Sequence, residues 1–382
     1  MEKIAASLLA TAGIACAQTY NYDSSSETLV ITGKGNTVAD RITPEEPITP
    51  GSTVPGTSEI FGDTKEIILK DVWTSPDSIR IKYVEPTSEG NNTTLKLENS
   101  RLGASGDFDK GGTGLILILD SQSRLDLFGN RLTNTIRIEN QGHISCSNST
   151  VRENSYLWDN KTTTGSSGVL GGSGYYRFGN VSSIETDKDF GLIKTSGQIT
   201  DLEISGIYNV DGNSAKTIGD DAYIVGVNTS SSSDGQAMTI SGSLTIEAKQ
   251  GTGIGILANQ LGSDDVSLKN DYSGQIYVTA KDAFGVKVGK NAAKDPSAAG
   301  DIYSLSVGGL DINNTITSGS TQGEATGIYA KSVKRDLTAD AITVEGYTSA
   351  TGIHLTEGGR NLTISDLSLI HISEPTRRVV IS

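Results

Sequence analysis

The stretch Gly242-Ser-Leu-Thr-Ile-Glu-Ala-Lys-Gln-Gly-Thr-Gly-Ile-Gly-Ile-Leu257 decides how this chain is read. In its first half, Leu244 and Ile246 fall on one face of a strand while Thr245 and Glu247 fall on the other. In its second half, Gly255 sits among alternating aliphatic residues. Both halves recur. The glycine-centred pattern returns at Phe190-Gly191-Leu-Ile, Val225-Gly226-Val, Phe284-Gly285-Val-Lys-Val288, Thr326-Gly327-Ile-Tyr-Ala330 and Thr351-Gly352-Ile-His-Leu355. Its glycines are spaced 35, 29, 30, 42 and 25 residues apart. The alternating pattern returns at Gly206-Ile-Tyr-Asn-Val210, Gly274-Gln-Ile-Tyr-Val278, Gly309-Leu-Asp-Ile312 and Ala341-Ile-Thr-Val344. A third series runs through Asp201–Ile204, Met238–Ile240, Asp265–Leu268, Leu305–Val307, Leu337–Ala339 and Asn361–Ile364.

Three short strands per unit of about 25 to 40 residues are what one turn of a three-sided parallel β-helix requires. Identical strands of successive turns then stack about 4.8 Å apart around an aliphatic interior. The expected fold is all-β, a right-handed three-sided solenoid with corner-loop insertions such as 291–300 and 315–323. Ten such turns would make a rod of roughly 40 to 50 Å by the same spacing. Small Ile, Leu and Val suit that narrow interior, in keeping with an aromatic content of 5%. Glycine is expected at tight corners that need positive φ.

The first half carries looser strands of the same kind: Thr28–Ile31, Glu66–Leu69, Ser78–Ile81, Thr94–Leu97, Leu115–Leu119, Arg124–Leu127 and Thr135–Ile138. Four of the eight prolines fall between Pro44 and Pro55, so this segment reads as an exposed extended loop. A sandwich or barrel would show Asn-Gly hairpin signals between paired runs, and few are present.

Residues 1–17 read as a secretory signal. Lys3 precedes an apolar run, and Ala15-Cys16-Ala17 supplies the A-x-A cleavage pattern, so the mature chain is expected to begin at Gln18. Gly13 stands where an acylated-cysteine signal wants Leu. Removal of Cys16 leaves Cys146 alone, read as a small apolar residue, and no internal disulfide is expected. Residues 18–58 form an N-terminal segment with the proline-rich loop, and 59–366 the repeat region. Leu367-Ser-Leu-Ile-His-Ile-Ser-Glu-Pro-Thr-Arg377 matches the translation of a sequencing adapter, so 367–382 are expected to be a non-native tail.

The chain has 382 residues and a formal charge of −14, a balance that argues against nucleic acid or an anionic membrane as partner. Some β-helices are enzymes. Polygalacturonase-like glycosidases show Asn-Thr-Asp, Asp-Asp, Gly-His-Gly and Arg-Ile-Lys in that order. Here Arg80-Ile-Lys82 comes first, Gly142-His143 lacks its second glycine, and Asp220-Asp221 and Asp264-Asp265 follow, both after glycines in turn-like settings. They read as solvated loop acids rather than an acid–base pair. Gly111-Gly-Thr-Gly114 lacks the Asp of a calcium nonapeptide, and Gly253-Ile-Gly255 is too short for a nucleotide loop. His143, His354 and His371 are isolated, without zinc-ligand spacing. No catalytic residue, cofactor or metal site is assigned.

Signal, acidic glycine-rich repeats and scarce cysteine together resemble the passenger region of bacterial autotransporters, over about Gln18 to Asp366. The resemblance implies display on the outer membrane or release outside the cell. It also implies a C-terminal β-barrel in that membrane, lost here before the tail. The expected role is a non-enzymatic adhesin or stalk whose partner is an unknown surface protein or glycan. The alternative is a carbohydrate-active hydrolase or lyase using loop carboxylates.

Overall fold

The computed structural model describes residues 19–32, 66–71, 93–105, 115–160, 166–195, 199–229, 237–264, 270–289, 299–314 and 323–371, with short gaps inside those stretches. Every regular element among them is a β-strand, and the strands pair overwhelmingly in parallel. The chain forms two compact units, residues 1–147 with 169–176, and residues 148–168 with 177–382.

The first unit opens with an antiparallel pair, Thr19–Asp23 with Thr28–Thr32. Ser25 donates from both its backbone N and its Oγ to Asp23 Oδ1, at 2.9 and 2.7 Å, which closes the turn. Beyond it, parallel strands pile Ile67, Leu95, Leu117 and Ile138 in one column and Leu69, Leu97, Leu119 and Asn140 in the next. None of these eight side chains exceeds 6% exposure. A second stack aligns Arg101–Ser105, Arg124–Phe128 and His143–Ser147, so that Leu125 lies opposite Ile144. The chain turns between the two stacks at Asn99, which takes φ 44°, and Asp71 takes φ 52° at the equivalent place. Asn99 Nδ2 donates to Asp71 Oδ1 (2.7 Å), and Asn99 N to Asp120 Oδ2 (2.8 Å). Side-chain hydrogen bonds therefore hold a left-handed conformation that Asn and Asp tolerate better than most residues.

In the second unit the strands lengthen to 16, 19, 13, 23 and 23 residues from Ser243 to His371. Register is kept along the inward columns, with shifts elsewhere in the same pairings, as between Ala248/Thr252 and Tyr272/Gln275. Tyr208, Leu244, Ile276, Leu310, Ile342 and Leu367 form one column. Val210, Ile246, Val278, Ile312, Val344 and Leu369 form a second. The alternation read from Leu244 to Glu247 holds, with Leu244 and Ile246 buried and Thr245 and Glu247 half-exposed. Each strand is sealed by the one after it. Leu337, Ile342 and Val344 are at most 1% exposed, whereas Leu362, Leu367 and Leu369 on the last described strand stand 37 to 40% exposed. Residues Leu367–His371 pair in register with Ile342–Gly346.

Three expectations are corrected. First, the glycines at 226, 255, 285, 327 and 352 are not positive-φ corners; among the described residues that conformation falls to Gly206, Gly262, Gly289 and Gly358. They stack on one another and allow close approach. A Cβ at Gly255 would lie 2.5 Å from the Gly285 carbonyl oxygen and 2.6 Å from Ile276 Cγ2. At Gly327 it would lie 2.4 Å from the Gly352 oxygen and 2.8 Å from Ile342 Cγ2. Second, Gly191 does not belong to this ladder, since its register partner is Val225. It makes room for Tyr156, whose Cε1 would be 2.7 Å from an added Cβ. Third, the interior admits aromatics: Tyr156, Phe178, Phe190, Tyr208 and Tyr272 are fully buried, and the Phe178 and Phe190 rings meet at 4.3 Å. The strand read at Asp265–Leu268 lies outside the described residues, and Asn270 takes its place opposite Met238.

Candidate functional site

Most sequence motifs that resemble chemistry fall outside the described residues. These are the cleavage residues Ala15, Ala17 and Gln18, the Pro44–Pro55 loop, Arg80–Lys82, Gly111–Gly114, Asp220–Asp221 and Asp265. Asp264 is exposed, just past the turn in which Gly262 takes φ 75°. Gly253 and Gly255 lie within a strand, as read. His143 begins a strand with its ring 4.9 Å from that of Tyr175, and His354 is an exposed strand residue 4.9 Å from the Tyr329 ring. Cys146 lies opposite Leu127. Among the described residues no three His, Cys, Asp or Glu side chains converge as a metal site would need.

What the sequence reading missed is a buried polar group in the second unit. Asp189 opens the strand Asp189–Thr195 and lies opposite Tyr223, while Lys194 on the same strand lies opposite Asn228. The Tyr156 ring crosses Gly191 and its hydroxyl accepts a 2.6 Å hydrogen bond from Asn228 Nδ2. The same Nδ2 lies 3.4 Å from Asp189 Oδ2. Lys194 Nζ stands 5.8 Å from the Tyr156 ring centre. Farther along, Lys287 Nζ sits 4.6 Å from the Phe284 ring and 5.1 Å from the Tyr223 ring, beside a cluster of Val225, Ile254, Leu257, Ala299 and Tyr329.

Asp189 and Lys287 are each 1% exposed and Asn228 is 2%. Removing a carboxylate and an ammonium from water carries a penalty of several kcal/mol per ion, which aromatic faces and hydrogen bonds offset in part. The group ties Tyr156, Asp189 and Asn228 across three neighbouring parallel strands. Chemically it holds one carboxylate, so the two-carboxylate geometry of glycoside hydrolysis is not assembled there. For Lys287 alone the sequence carried a signal, a lysine inside the apolar run Ala283–Val288.

Two further carboxylates are tuned by their surroundings. Partial burial raises the Asp120 pKa, but hydrogen bonds from Ser123, Asn99 and Gln122 outweigh it and hold the group below the ordinary carboxylate value. Hydrogen bonds from Ser25 and Ser26 likewise lower the pKa of exposed Asp23. Burial drives the Tyr272 phenol well above its ordinary value. The chain matches no protein-family model, no curated protein and no solved structure.

Proposed function

We propose that this chain is an exported, surface-displayed passenger of the autotransporter type, built as a right-handed three-sided parallel β-helix and acting as a non-enzymatic adhesin or stalk. The observation that carries the fold reading is the unbroken register of Leu244, Ile276, Leu310, Ile342 and Leu367. Two register shifts divide the longest pairing into three segments, at Ala330/Ser332 and Val333/Asp336, which suits a chain that bends twice per turn. Parallel neighbours 25 to 42 residues apart need a crossover, and stacked turns supply it without helices.

The adhesin reading draws on chemistry that the surface offers and the interior does not. Outward positions such as Asn209, Thr245, Tyr277, Asp311 and Thr343 present hydrogen-bonding groups in register on one sheet face. The hydrolase or lyase alternative rests on loop carboxylates, of which Asp264 is exposed and Asp220, Asp221 and Asp265 lie outside the described residues; Asp189, sealed from solvent, is not one of them. The test is direct. Purified chain, fluorescently labelled, is expected to attach saturably to bacterial or epithelial cells and to release no reducing ends or unsaturated products from a polysaccharide panel. Product release with turnover would replace the adhesin reading with the enzyme.

A further inference from the structure

On the outer face of the first unit, Arg101 lies directly opposite Arg124, and Arg124 directly opposite His143. Tyr175 N donates to the Gly142 carbonyl, which brings Tyr175 beside His143, and the two rings meet edge to face at 4.9 Å. Two cations, an imidazole and a phenol thus follow one another at steps of about 4.8 Å. Like charges directly opposite on neighbouring strands are destabilising, so this order is not one that folding favours. The Asp126 carboxylate ties the two arginines together. Arg124 Nε lies 2.7 Å from Asp126 Oδ1 and Arg101 Nε lies 3.7 Å from Asp126 Oδ2, while the Ser145 hydroxyl also donates to Asp126.

Asp126 is sheltered at 14% side-chain exposure, whereas Arg101 and Arg124 keep 45% and 40%. The carboxylate engages both guanidiniums through Nε, so the terminal nitrogens of Arg124 are not the atoms that bind Asp126. Those nitrogens are the fork that grips an external carboxylate or sulfate by two parallel hydrogen bonds. Two exposed arginines side by side are a basic feature on a chain of net charge −14.

We infer that the stripe Arg101–Arg124–His143–Tyr175 is a binding site for an acidic polysaccharide, with the arginines taking its anionic groups and Tyr175 flanking a sugar ring. The inference rests on the adhesin reading and names its ligand class. A nucleic acid fits less well, because its dense phosphates meet the repulsion of the whole acidic chain and find only a short basic stripe.

Heparin serves as the probe, with dextran and single-stranded DNA for comparison, each immobilised and presented to the full chain at low ionic strength. Heparin alone is expected to bind, more weakly as salt rises. Arg101→Gln with Arg124→Gln is expected to weaken it about tenfold or more, the scale of one charge-assisted bond pair. Arg101→Lys with Arg124→Lys keeps the charge and the fold but loses the fork, and is also expected to bind more weakly. Lys331→Gln, in the other unit, leaves binding unchanged. Equal binding of DNA, or heparin affinity untouched in the lysine pair, overturns the inference, and the lysine pair decides even if the glutamine pair misfolds. Cell attachment without heparin binding removes this inference alone, whereas heparin binding without cell attachment removes the adhesin reading.

Discussion

Both units bend through an aspartate at positive φ, Asp71 in the first and Asp187 in the second, but the hydrogen-bonded bend of the first and the glycine ladder of the second are different devices. In the first, Asp71 and Asn99 adopt left-handed conformations and are held by side-chain hydrogen bonds. In the second, Gly226, Gly255, Gly285, Gly327 and Gly352 give up their side chains so that the opposing aliphatic column can approach the backbone. The polar device fixes a bend; the glycine device sets how thin the interior is. One depends on protonation and hydrogen bonding, the other on volume alone.

That contrast is broken or sharpened most by changes of volume. Ile312→Ala, in the middle of a column at 0% exposure, is expected to cost about 2–5 kcal/mol by denaturant unfolding. Gly285→Val places a Cβ 2.5 Å from the Gly327 oxygen and 3.0 Å from Ile312 Cδ1. It is expected to cost about 1–3 kcal/mol, or more if the sheet cannot shift. A double variant with Ile312→Val should recover part of that loss, and its failure to do so would count against the thin-interior account. Gly358→Ala meets nothing within 4 Å but keeps φ 94°, so its loss is backbone strain alone, about 1–2 kcal/mol.

The polar device predicts a smaller and pH-dependent effect. Asn99→Ala removes the Nδ2 hydrogen bond to Asp71 and a residue suited to positive φ, while its backbone N still donates to Asp120, and is expected to lower the stability of the first unit by about 1–2 kcal/mol. Asp120 has a folded-state pKa below its unfolded value, so its contribution is present at neutral pH. That contribution fades as the pH falls through the folded value, below the ordinary carboxylate range of about 4. Thermal melts of Asp120→Asn should therefore differ from the parent at pH 7 and converge with it in acid. The smallest effect belongs to Lys96→Met, which breaks the exposed 2.7 Å pair with Glu98 and should stay within about 0.5 kcal/mol.

Strand pattern was legible because period-two alternation depends only on which face is dry. Leu244 and Ile246 announce their own burial, and Glu66–Leu69, Thr94–Leu97 and Arg124–Leu127 did the same. Glycine function was less legible, since a glycine that bends and a glycine that yields space look alike in sequence. Gly191 shows the limit: it sits in the same local pattern as Gly226, yet one step out of register it serves a tyrosine ring. The buried group of Tyr156, Asp189 and Asn228 was not legible, because its members are 33 and 39 residues apart and meet only through register. The arginine stripe was hidden for the same reason, as Arg101 and Arg124 become neighbours only when their strands align.

Columns in which each strand offers its successors the same inward positions have a hereditary consequence. A gain or loss of one residue inside a strand would turn its dry face outward. Duplication or excision of a whole repeat would leave the flanking strands facing partners of matching shape. Length in such a lineage can therefore drift in whole-repeat steps under recombination, while frame-preserving single-codon insertions survive only at the bends.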